Sequence, residues 1–103
     1  MGALEGRTVV VTGASRGIGR SLALRLAAEG ARLGICGRDE AALSELEGEL
    51  GTPVVTAAFD LSLEAPALEF LEKVRAELGG IDVLVNNAGF NPRKAPLAEV
   101  GTE

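Results

Sequence analysis

The stretch from Thr8 to Gly19 most narrows what this chain can fold into. A β-rich run, Thr8-Val9-Val10-Val11, leads straight into Thr12-Gly13-Ala14-Ser15-Arg16-Gly17-Ile18-Gly19, after which apolar residues recur at helical spacing. That order predicts a strand, a glycine-lined turn and a helix. Backbone N–H groups at a helix N-terminus lack intrahelical partners, and the helix dipole favours negative charge there. Phosphate is the natural guest of such a turn. Glycine also marks ordinary turns and helix caps, so the rest of the chain must decide.

Alternation of strands and helices continues from there. Helix one is expected over about 17–29, with Ile18, Leu22 and Leu26 as its apolar stripe and Ala23 and Ala27 beside them. Gly30 stops it, and 31–36 forms a second strand joined to the first by a right-handed crossover. Asp39 is the expected N-cap of a second helix whose stripe is Leu43, Leu46 and Leu50, ended by Gly51 and Pro53. Strand three is 54–58. A third helix starts after Ser62 and runs to Leu78, burying Leu71, Val74 and Leu78 and pairing Glu69 with Lys73 on its outside. Gly79-Gly80 turns into a fourth strand, 81–85, that stops at Asn86-Asn87-Ala88-Gly89. Beyond Gly89 the chain reads as irregular, with Pro92 and Pro96. The fold class is therefore α/β: a Rossmann-like, doubly wound parallel sheet of about four strands and three helices in one domain, expected to be incomplete at its C-terminal side.

Composition removes several functions. The 103 residues contain no histidine, tyrosine or tryptophan, which closes imidazole and phenol acid–base chemistry to this chain by itself. One cysteine, Cys36, and no histidine cannot supply a usual zinc ligand set. A single cysteine also excludes an internal disulfide and fits a cytoplasmic protein. The net charge of −5 argues against a nucleic-acid partner. No apolar run approaches the ~20 residues that span a bilayer, and no signal-peptide pattern opens the chain.

In a doubly wound sheet, ligands bind outside the carboxyl ends of the strands, where strand order reverses. With strand one between strands two and four, that crevice is bounded by residues 12–19, 37–39, 60–62 and 86–90. Each candidate there has a plainer role. Gly13, Gly17 and Gly19 can serve a tight turn and close packing, Ser15 a helix cap, and Arg38 a solvated loop charge. Asp60 can cap the third helix, and Asn86 and Asn87 can form a turn. Cys36 reads as a small buried hydrophobe.

Together these residues resemble the classical short-chain dehydrogenase/reductase family. Residues 12–19 match its TGxxxGxG motif, Asp60-Leu61 its acidic position after strand three, and Asn86-Asn87-Ala88-Gly89 its NNAG motif. The resemblance implies hydride transfer between a nicotinamide dinucleotide and a carbonyl or alcohol substrate. It implies that backbone groups of Ser15, Arg16, Gly17 and Ile18 hold the pyrophosphate, in the turn that Gly13 and Gly19 shape. Asp60 and Leu61 would flank adenine, and Asn87, Ala88 and Gly89 would line the adenosine ribose. Asn86 looks instead like a residue that braces the sheet. Family-type homo-oligomers are possible.

Charge selects the cofactor. NAD sites place an acid after strand two to hold the ribose 2′-hydroxyl, whereas this chain has Gly37 and then Arg38. Arg38 and Arg16 can bind a 2′-phosphate through charge-assisted bonds, so NADP(H) is expected over NAD(H). The family's catalytic Ser, Tyr and Lys have no counterpart here, and no residue is expected to be catalytic. The chain thus reads as the cofactor-binding half of a reductase, seen as a fragment or shortened product, with an apolar edge at Val83 and Val85. A non-catalytic nucleotide-binding module, completed by a second chain, is the alternative.

Overall fold

The computed structural model describes residues 2–15 and 17–87. The expectations placed on Arg16, Ala88, Gly89, Pro92 and Pro96 lie outside those residues. Seven elements alternate along the chain: β1 (Thr8–Thr12), α1 (Gly17–Ala28), β2 (Arg32–Gly37), α2 (Glu40–Leu50), β3 (Val54–Ala58), α3 (Glu64–Leu78) and β4 (Val83–Val85). The four strands form one parallel sheet in the order β3-β2-β1-β4, as expected.

Strand alternation divides the core in two. Val9, Val11, Leu33 and Ile35 point to one face and pack with Ala23 of α1 and Leu43, Leu46 and Leu50 of α2. Val10, Cys36 and Val55 point to the other and meet Phe70, Val74 and Leu78 of α3. This is why β1 and β2 read as unbroken apolar runs: both of their faces are covered. The helix assignment also explains the strand order. With one crossover hand kept throughout, helices on one face step from β1 outward to β3. A helix on the opposite face must step back, past β2 and β1, to β4. That reversal puts the switch point between β1 and β4.

Several boundaries move by one or two residues for identifiable reasons. Helix α1 ends in a Schellman motif: Gly30 adopts φ 94°, its N–H donates to Ala27, and the Ala31 N–H donates to Leu26. Ala31 therefore belongs to the helix stop, and β2 begins at Arg32. At the fourth strand, the Thr8 N–H donates to the Asp82 carboxylate (2.8 Å) while the Asp82 N–H donates to the Thr8 carbonyl (2.8 Å). The Asp82 side chain takes the place of a ladder partner, so the strand starts at Val83 rather than at residue 81. Among the described residues β4 is an edge strand, and Val83 is 43% exposed.

The apolar stripe expected on α1 is corrected at its first member. Ile18 is 77% exposed, whereas Gly19 and Ala23 are the buried residues of this helix. Small residues four apart let α1 lie close against the sheet, and Ile18 is rotated off that face by one residue's turn of ~100°. On α3, Phe70 joins Val74 and Leu78 in the core, and Leu71 is only partly buried. The ion pair on that helix is Glu72–Arg75 (2.6 Å, i,i+3), not Glu69–Lys73.

Candidate functional site

Because all four strands run parallel, the segments that follow them emerge at one edge of the sheet. A continuous series of contacts ties these segments together. The Asn87 N–H donates to the Thr12 hydroxyl (2.9 Å), and the Asn87 side-chain amide donates to the Gly13 carbonyl (3.4 Å). The Thr12 hydroxyl faces both the Val85 carbonyl (3.4 Å) and Asn86 Oδ1 (3.2 Å). Across the next gap, the Ala14 N–H donates to the Cys36 carbonyl (3.0 Å), and the Phe59 N–H to the Gly37 carbonyl (2.9 Å). Arg38 Nη2 then donates to Asp60 Oδ1 at 3.1 Å. The structure thus brings Gly13, Ser15, Gly17, Ile18, Gly19, Arg38, Asp60, Leu61 and Asn87 to one rim, as strand order requires.

The glycine turn disfavours side chains for two different reasons. Gly13 and Gly17 adopt φ of 65° and 64°, a region in which a Cβ is strained. At Gly19 the restriction is steric. A Cβ there would run into the Gly13 carbonyl oxygen and would lie 2.7 Å from the Asn87 side-chain nitrogen. The first turn of α1 carries no acidic residue to neutralise its N-terminal partial positive charge. On its far side the turn meets β2 closely, since a Cβ on Gly37 would lie 3.0 Å from the Ser15 hydroxyl. A tightly wound turn at the switch point, opening a helix free of acids, fits a phosphate-bearing group.

The charged groups are arranged less simply than the sequence suggests. Asp39 directly follows Arg38, yet its carboxylate accepts from the Ala42 N–H (3.0 Å) and caps α2. Asp60 does not cap α3, whose N-cap is Leu63 with no side-chain bond. It closes a local turn instead: its Oδ1 accepts from the Ser62 N–H (2.9 Å) and the Ser62 hydroxyl (2.8 Å) as well as from Arg38. Those bonds from Ser62, with help from Arg38, hold the Asp60 carboxyl down at about 2. Cys36 is 1% exposed and burial pushes its thiol up to about 12, which makes it an inert core residue.

Two contributors were not singled out from the sequence. Ser62 fixes Asp60, and the Asp-x-Ser spacing is a turn signature that could have shown it. In the sequence Thr12 shows only as part of the glycine motif. Its hydroxyl joins β1 to residues 73 to 75 positions away, a link no local pattern displays. Among the described residues no group of three or more acidic or cysteine side chains could hold a metal ion, and no helix is long and apolar enough to cross a membrane.

A doubly wound parallel sheet with a glycine turn at its switch point defines a Rossmann-type α/β domain. The short chain dehydrogenase family model matches residues 7–103, and this chain belongs to that family. It is similar to gluconate 5-dehydrogenase of Gluconobacter oxydans, with 41% identity over 100 residues that cover 93% of this chain and 38% of that protein. Among solved structures, it resembles L-sorbose reductase of Gluconobacter frateurii, a complex with NADPH and L-sorbose (TM-score 0.77, 38% identity, 86% of this chain and 35% of that one). It also resembles a short chain dehydrogenase of Bacillus anthracis (TM-score 0.78, 35% identity, 84% of this chain and 36% of that one). The chain therefore spans little more than a third of the length of these relatives.

Proposed function

We propose that this chain forms the NADP(H)-binding part of a short-chain dehydrogenase/reductase acting on a carbonyl or alcohol substrate. The observation that carries the cofactor preference is the division of labour at the end of β2. Arg38 extends toward the rim, while the neighbouring acid, Asp39, is spent on the N-terminus of α2. An NAD-type acid aimed at the ribose is thus lacking among the described residues of that turn, and a guanidinium stands in its place.

Each residue then has a role. Backbone groups from Ser15 through Ile18, Arg16 included, hold the pyrophosphate in the turn shaped by Gly13, Gly17 and Gly19. Arg38, with Arg16, binds the 2′-phosphate. Asp60 and Leu61 flank adenine, and Asn87, Ala88 and Gly89 border the ribose. When bound, the nicotinamide supplies or accepts the hydride. The 103 residues include no tyrosine or histidine, so neither a phenol nor an imidazole proton donor is among them. The protein is expected to work in the cytoplasm.

The test is R38D. Loss of a charge-assisted bond together with added repulsion should cost NADPH on the order of 2 kcal/mol, roughly thirtyfold in Kd, and spare NADH. An unchanged NADPH affinity in R38D would overturn the assignment.

A further inference from the structure

Asp60 is anchored independently of Arg38. Its Oδ1 takes two donors from Ser62, at 2.9 and 2.8 Å, before the guanidinium arrives at 3.1 Å. The carboxylate is therefore a fixed post beside β3, and Arg38, reaching across from β2, is the movable partner. Their side chains are 74% and 42% exposed for Arg38 and Asp60, so the pair is easily opened.

We propose that Asp60, anchored by Ser62, is a resident counter-ion of Arg38 that competes with a 2′-phosphate and limits how strongly the site prefers the phosphorylated cofactor. The inference rests on the NADP(H) reading above. A phosphate seated on the same guanidinium would meet a fixed negative charge within a few ångströms, well inside a Debye length. Asp60 also pre-positions Arg38, which favours phosphate binding. For so exposed a pair that ordering is weak, and repulsion of a doubly charged phosphate outweighs it. Asp60 is thus a specificity-tuning residue acting through Arg38, separate from any contact it makes with adenine.

The measurement is calorimetric titration of the purified protein with adenosine 2′,5′-bisphosphate and with AMP. Both carry the same adenine, so the ratio of their affinities isolates the 2′-phosphate. D60N keeps an oxygen for the Ser62 donors but removes the charge. It should raise the ratio by about threefold to tenfold at low salt, a gain that shrinks at high salt. S62A, which frees the carboxylate from one of its anchors, should shift the ratio the same way by less. A wild-type ratio of one overturns the NADP(H) reading and this inference with it. A wild-type ratio well above one, with D60N unchanged or lower, overturns this inference alone.

Discussion

The backbone N–H of Asn87 donates to the hydroxyl of Thr12 across 2.9 Å, joining two residues 75 positions apart at the point where the strand order reverses. The same hydroxyl faces Asn86 Oδ1 at 3.2 Å, and the Asn87 side chain reaches the Gly13 carbonyl at 3.4 Å. The end of β4 is thereby tied to the first residues of the glycine turn.

Substituting Thr12 by valine keeps the branched shape a strand favours and deletes the hydroxyl. T12V leaves the Asn87 N–H without its acceptor in a half-buried setting, so stability should fall by about 1–2 kcal/mol. T12S, which retains the oxygen, should lose much less. Chemical denaturation of the three proteins checks this, and equal stabilities would mean the hydroxyl carries no weight.

At Gly19 the prediction concerns space. G19A must push the Gly13 carbonyl or Asn87 aside, costing about 1–3 kcal/mol as an overpacked contact. Because both displaced groups lie at the proposed cofactor rim, NADPH affinity should drop together with stability. By contrast, a Cβ at Gly48 on α2 meets nothing within 4 Å, so G48A should be neutral or stabilising. Thermal melts and NADPH titration of both variants separate the two sites.

Cys36 should resist alkylation in the folded protein. Its thiol is raised from 9.0 to about 12 by burial, so the folded state holds the proton more tightly than the unfolded chain does. The stability this provides is fully present below pH 9 and is lost as pH rises toward 12. Thiol labelling at pH 8 should therefore proceed only on unfolding, and stability should decline across the alkaline range. Rapid labelling of the native protein would contradict the assignment.

Much of this architecture was legible in the sequence because its signals are local. Val9-Val10-Val11 announces a strand covered on both faces, Asp39 and Gly51 bracket α2, and Gly30 stops α1. What escaped depended on contacts distant in sequence or on geometry finer than periodicity. Ile18 sits at helical spacing from Leu22 yet is exposed, because the close approach of Gly19 and Ala23 sets the rotation of α1. Strand four is two residues shorter than its apolar run suggests, because the Asp82 side chain captures the Thr8 N–H. At the candidate site, the identities of Arg38 and Asp60 were visible, but their pairing was not. Only the parallel placement of β2 beside β3 brings residues 22 positions apart into contact.

The central claim is that the rim at the end of β2 selects the phosphorylated cofactor. Measuring the dissociation constants of NADPH and NADH for the wild-type protein, side by side at low salt, tests it most directly. NADPH should bind at least tenfold more tightly, a difference of about 1.4 kcal/mol or more. Equal affinities, or tighter binding of NADH, would contradict the account.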